Sequence, residues 1–409
     1  MAPAVEREWL MRTRSTAIPA VLLMLFAAHG WAQVPGTETR ASVVSEAQAV
    51  KSTELHPYVR GKAEAYLDRA ETILTTGVRL HPYFESAYSG GGFTLGAGYR
   101  TYIGSYNTVD VRGSITPSGY KRVEGEFLAP RLMNRRAALS LIGGWREATQ
   151  VGFYGTGLSN SSEDRVNYGF TQPYGLATLT ARPRRLLLLR GGAEVSRWKQ
   201  TPGTGTAPSV ETVYTPEALP GLNAKVTYIH SQGTVGLDSR ASPGYARRGG
   251  FYGVTFHNVM DVDSQYGFTQ TDYEALQHIP LLREAWVLSF RGFVSTTGSK
   301  RDQQIPFFML PSVGGGSSLR AFSSWRFRDR NSMVMEAEWR VMVNRFLDTA
   351  LFYDAGKVTA HARDLDLTHL KSGYGIGVRF HGPLSTPLRI DVAHGNEGIS
   401  VVWAASAVF

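Results

Sequence analysis

The chain contains no cysteine in 409 residues. That excludes a disulfide scaffold, thiol catalysis and cysteine-based zinc or iron–sulfur sites. Charge is sparse as well: 19% of residues are Asp, Glu, Lys or Arg, and 43 basic residues against 34 acidic ones leave a formal balance of +9. With 43% hydrophobic residues the chain is too apolar to be disordered. After the first thirty residues there is no apolar run of membrane-helix length. The best candidate, Leu186 to Leu189, is four leucines between Arg185 and Arg190, where a helix needs roughly 20 apolar residues. Enzyme signatures are missing too. The ten His show no His-Glu-x-x-His pattern, and the glycine triplets Gly90–Gly92 and Gly314–Gly316 are followed by no Lys-Ser or Lys-Thr. We expect no enzymatic activity, metal or cofactor, although a Ser/His/Asp set is assembled by geometry and leaves no spacing to read.

What is present begins with an export signal. Arg12 and Arg14 precede an apolar run from Ala17 to Ala28, and small residues follow at Gly30 and Ala32. That layout predicts a signal peptide over 1–32, the competing reading being an anchor helix. The string Arg182-Pro183-Arg184-Arg185 reads as a solvated turn near anionic lipid headgroups and not as a nucleic-acid site. No nucleic-acid partner is expected.

Periodicity supplies the fold class. In Lys371–Phe380, Tyr374, Ile376, Val378 and Phe380 alternate with Gly373, Gly375, Gly377 and Arg379. Thr386–His394 sets Leu388, Ile390 and Val392 against Arg389, Asp391 and Ala393. Ser332–Asn344 sets apolar positions against Glu336, Glu338 and Arg340, and Ile399–Phe409 places apolar residues at every odd position. One greasy face opposite one small or charged face means half-buried strands. A soluble sandwich shows the same alternation. Strands of about ten residues, a charged opposite face and aromatic ends point instead to a membrane barrel, whose mean hydropathy of -0.18 need not stand out. About sixteen such segments follow Thr76. The clearest lie near 92–103, 107–116, 119–130, 137–148, 185–198, 250–262 and 284–296 with the four above; those near 166–181 and 222–240 are weaker. The stretch 199–221 reads as an exposed loop, and 297–331 is the other long irregular region. Ahead of the strands, the first half of 33–76 is polar and reads as disordered. Residues 57–74 carry helical apolar spacing.

The region 310–360 is the most specific. It holds Leu319-Arg320-Ala321-Phe322, then Glu336-Ala337-Glu338-Trp339-Arg340, then Phe352-Tyr353-Asp354-Ala355-Gly356. With the Gly373–Gly377 strand and the terminal Phe409, this resembles the C-terminal barrel of the BamA/TamA outer-membrane assembly superfamily, also called the bacterial surface-antigen family. The resemblance is specific over 310–409 and diffuse over 90–310. It implies an all-β fold, a 16-stranded antiparallel transmembrane β-barrel with a long extracellular loop folded into the lumen, to which the spacing at 57–74 adds a short N-terminal helix. It further implies that Leu319, Arg320 and Phe322 of that loop meet Glu338 and the Phe352, Asp354, Gly356 strand motif. Phase supports this separately. Glu338 and Asp354 on the inward faces of neighbouring strands would repel unless a cation entered, and a guanidinium suits two carboxylates. A solvated loop arginine is the competing reading. Ala321 stands where the family has glycine, a position strained if it requires positive φ.

The expected organisation is a signal peptide at 1–32, a periplasmic segment with a short amphipathic helix at 33–76, and a barrel at 77–409. The 44 residues from Gln33 to Thr76 are too few for an ordinary periplasmic POTRA domain. The resemblance implies a bacterial outer-membrane protein that works in protein insertion or export. Its partners would be membrane lipids, unfolded outer-membrane proteins and a separate periplasmic delivery protein. The alternative is a passive pore, a plugged structural barrel or a surface antigen. Trp403 and Phe409 on the terminal strand are expected to face lipid and act as the assembly signal.

Overall fold

Alternation along the chain is realised as a single sixteen-stranded antiparallel sheet in the computed structural model, which describes residues 40–54, 79–382 and 384–404. The expected signal peptide at 1–32, the helical spacing at 57–74 and Phe409 lie outside the described residues. Each strand pairs with the next along the chain, from Leu80–Pro82 to Gly398–Ala404. The one interruption is a two-stranded hairpin, Ser312–Val313 with Phe327–Arg328, inside the long connection between Trp286–Ser299 and Asn331–Asn344. Such up-and-down pairing satisfies the backbone polar groups between strands, which hydrocarbon cannot do.

Strand positions follow the alternation closely. Lys371–Phe380 has the predicted bounds, and the two weaker segments are realised as Val166–Ala181 and Lys225–Asp238. Two strands carried little sequence signal. Phe268–Leu281 has Thr271 and Gln277 interrupting its apolar face. Leu80–Pro82 is three residues long and contains a proline, so its place is set by the ladder with Ala97–Tyr99 and by His81. The imidazole packs over Gly98, and its Nε2 lies 2.9 Å from Asp110 Oδ1.

Two expectations need correction. The polar stretch after Gln33, read as disordered, contains an α-helix at Arg40–Glu54. It is built from good helix formers, with Val43, Ala47 and Val50 at helical spacing. The 199–221 stretch is not simply an exposed loop. Val210, Leu219 and Leu222 are buried and cluster with Phe307 and Phe308 of the long connection, and with Phe153, Tyr168, Phe170 and Trp198 of the strands. Its Pro, Thr and Gly content describes its turns, while these widely spaced apolar residues decide its burial.

Candidate functional site

The strands Asn331–Asn344 and Leu347–Thr359 pair with Glu336 opposite Asp354 and Glu338 opposite Phe352. Period two therefore turns Glu336, Glu338, Phe352 and Asp354 to one face, and all four are buried. Isolated, the carboxylates would be costly to bury. Arg291 donates to Glu336 at 2.8 Å, and Arg320 of the long connection, fully buried, reaches Glu338 and Asp354. Its Nε donates to Asp354 Oδ2 at 2.8 Å and its Nη2 to Oδ1 at 2.6 Å, a two-pronged charge-assisted contact. The Arg320 backbone N–H also donates to Oδ2 at 3.2 Å, and Nη1 donates to Glu338 Oε2 at 2.9 Å. The guanidinium carbon lies 3.5 Å from the centroid of the Phe352 ring. Burial works against the Arg320 charge, but Asp354, Glu338 and Asp391 outweigh it and hold the guanidinium pKa above its ordinary value.

Each member of the strand motif has a separate job. Phe352 floors the guanidinium and Asp354 binds it. Gly356 leaves space, because a Cβ there would lie 2.6 Å from the Met333 carbonyl oxygen and 3.4 Å from a Leu319 methyl. Leu319 and Phe322 are buried beside Val334, Phe352 and Val358. Trp403 lies on the last strand, partly exposed, with Ile399 and Val401 more exposed on the same face.

The expected pair of acids is in fact a trio. Asp391 lies 3.7 Å from Arg320 Nη1 and is fully buried. Two further arginines join it: Arg379 donates to Asp391 and, at 2.7 Å, to Glu338, while Arg389 donates to Asp391 at 3.1 Å. With Arg340 3.9 Å from Glu338, three carboxylates thus face four guanidinium groups. Arg379, Arg389 and Asp391 all occupy polar phases of alternating strands, which was the signal available for them. Which cation would meet which acid depends on register.

Ala321 carries no left-handed φ, so the expected strain does not arise. Its methyl is instead received by a gap in the sheet. Gly373 and Gly395 are directly paired across neighbouring strands, and a Cβ on them would lie 2.4 Å and 2.9 Å from the Ala321 Cβ. The side chain that the loop adds is matched by two that the strands omit.

The same connection touches both ends of the sheet. Trp325, at φ 65, stacks on Tyr88 with centroids 4.5 Å apart, and its Nε1 donates to the Ser89 carbonyl at 2.9 Å. Arg326 donates to both Glu397 oxygens at 2.9 and 3.1 Å, in the turn before the last strand. Beside them Phe93 stacks on Trp403, centroids 4.7 Å apart. Among the described residues no backbone ladder joins Leu80–Pro82 to Gly398–Ala404.

Comparison with known proteins places this geometry. BamA from Haemophilus ducreyi, in a crystal structure lacking POTRA domains 1-3, matches at a TM-score of 0.57 and 16% identity, covering 78% of this chain and 68% of that one. CdiB from Escherichia coli matches at a TM-score of 0.52 and 12% identity, covering 77% of this chain. This chain spans 59% of that CdiB chain. At such identities the likeness is one of fold. A search of curated proteins returned no match. The Omp85 superfamily domain model matches residues 87–399. The chain therefore belongs to the Omp85 superfamily and is a bacterial outer-membrane protein.

Proposed function

We propose that the sheet closes into a barrel with the long connection docked in its lumen, and that the protein inserts or translocates outer-membrane polypeptides through the seam between its first and last strands. The observation that carries this reading is the contrast at that seam. Every consecutive strand pair in the sheet shares a backbone ladder, whereas among the described residues the two edges meet through side chains: Phe93 on Trp403, and Trp325 with Arg326 reaching both edges. Side-chain contacts can part without leaving strand hydrogen bonds broken in hydrocarbon, where each would cost several kcal/mol. An edge strand that can be uncovered is a template for an incoming strand. Arg320 then serves as the lock that keeps the loop in place while the seam works. Substrate chains would be delivered by a separate periplasmic protein.

The test exploits the absence of native cysteine. A Phe93→Cys/Trp403→Cys chain, joined by a short bis-maleimide and reconstituted in liposomes, should lose most of its ability to insert a denatured small barrel. The same chain before cross-linking should retain it. Steady ion conductance with no insertion in either state would assign a passive pore, and neither activity would assign a plugged structural barrel or surface antigen.

A further inference from the structure

We propose that the arginine-bearing turns at the end of the sheet opposite the 300–330 connection bind the headgroups of anionic phospholipids. The two turns are residues 133–136 and 182–186. Strand alternation puts both at that end, and backbone bonds fix them side by side: the Arg182 N–H donates to the Arg136 carbonyl at 2.7 Å, and the Asp238 N–H donates to that of Leu186 at 2.8 Å. Arg135, Arg136, Arg184 and Arg185 are all exposed. Among the described residues none of the four forms an ion pair. The nearby acid, Asp238, is already engaged by Arg182 at 2.7 Å and Arg240 at 3.0 Å. Four uncompensated guanidinium groups on one arc attract anions, and their planar forks match phosphate oxygens.

The apolar neighbours favour a lipid over an acidic protein. Met133 is 72% exposed and Leu186 49% exposed, interleaved with the arginines where lipid-facing strands end. A phospholipid offers a phosphate directly above an acyl chain, and an acidic protein surface or free phosphate offers no apolar half. Met133, Asn134 and Arg135 run through three successive left-handed conformations, φ 48, 57 and 68, and Leu282-Arg283-Glu284 repeats the shape at φ 45, 56 and 68. In both turns the first of the three is an exposed apolar side chain. Non-glycine residues adopt such conformations at a cost, which anchoring Met133 and Leu282 in a membrane interface would offset.

The inference rests on the outer-membrane location and not on the insertion reading, so it can fail while that reading stands. The full chain in detergent is equilibrated with phosphatidylglycerol or phosphatidylethanolamine, and retained lipid is counted by native mass spectrometry. Wild type should prefer phosphatidylglycerol by about tenfold. Arg135→Gln/Arg136→Gln/Arg184→Gln/Arg185→Gln should lose that preference, and Met133→Ser/Leu186→Ser should weaken retention. If the quadruple variant does not fold, Arg184→Gln/Arg185→Gln is expected to lose part of the preference. Equal retention by the folded variants would overturn the proposal. So would displacement of the lipid by inorganic phosphate, or binding of polyglutamate without any phosphatidylglycerol preference.

Discussion

Arg320→Ala should release the 300–330 connection to protease and lower the melting temperature of the protein. Removing one member of a buried ion pair costs about 3–5 kcal/mol, and water entering around the freed loop moves the expected loss toward the lower figure. Asp354 is the acid most exposed to the change. Arg320 donates to it from its backbone N–H, Nε and Nη2, whereas Glu338 and Asp391 keep Arg379, and Asp391 also Arg389. Adding Asp354→Asn to Arg320→Ala should therefore recover part of the stability, because it removes the stranded charge. Arg320→Lys should recover only part, since an ammonium cannot fork to two carboxylate oxygens or lie flat on the Phe352 ring. Unchanged loop protection and melting in Arg320→Ala would end the lock assignment.

Gly373→Ala is expected to unseat the loop, and a second substitution at a distance in sequence should repair it. The new Cβ would stand 2.4 Å from that of Ala321, a contact between atoms that no side-chain rotation can separate. Overpacking of this kind costs about 1–3 kcal/mol. It should appear as lower melting and faster proteolysis of the loop. Ala321→Gly removes the clashing methyl and leaves the His394 carbonyl oxygen, at 3.1 Å, as the next nearest atom. The double variant should thus regain most of the loss. Gly395→Ala, whose contact with the same methyl is 2.9 Å, should do less harm. A double variant no better than Gly373→Ala would show that Ala321 does not seat in that gap.

The site was half legible before the structure. Arg320, Glu338 and Asp354 could be named because two inward acids on adjacent strands require a cation and one loop arginine stood in a matching motif. Asp391, Arg379 and Arg389 were equally visible as polar-phase residues. Nothing local marked them as partners of Arg320, because that depends on where the 371–380 and 388–395 strands come round the sheet. The 199–221 stretch failed differently. Its composition is that of a solvated loop, and only the meeting of Val210, Leu219 and Leu222 with Phe307 and Phe308 turns it into part of the core.

By itself the sequence determined the fold class, the phase of most strands and which face carries charge, since a period of two writes each of these into neighbouring residues. Tertiary structure decided everything that joins residues far apart. It seats Ala321 over Gly373 and Gly395, completes the acid cluster with Asp391, sets Trp325 against Ser89 and Arg326 against Glu397, and brings turn 133–136 beside turn 182–186. These are contacts between segments whose spacing is free to vary, so no periodicity records them. They exist because the ladder fixes every register at once.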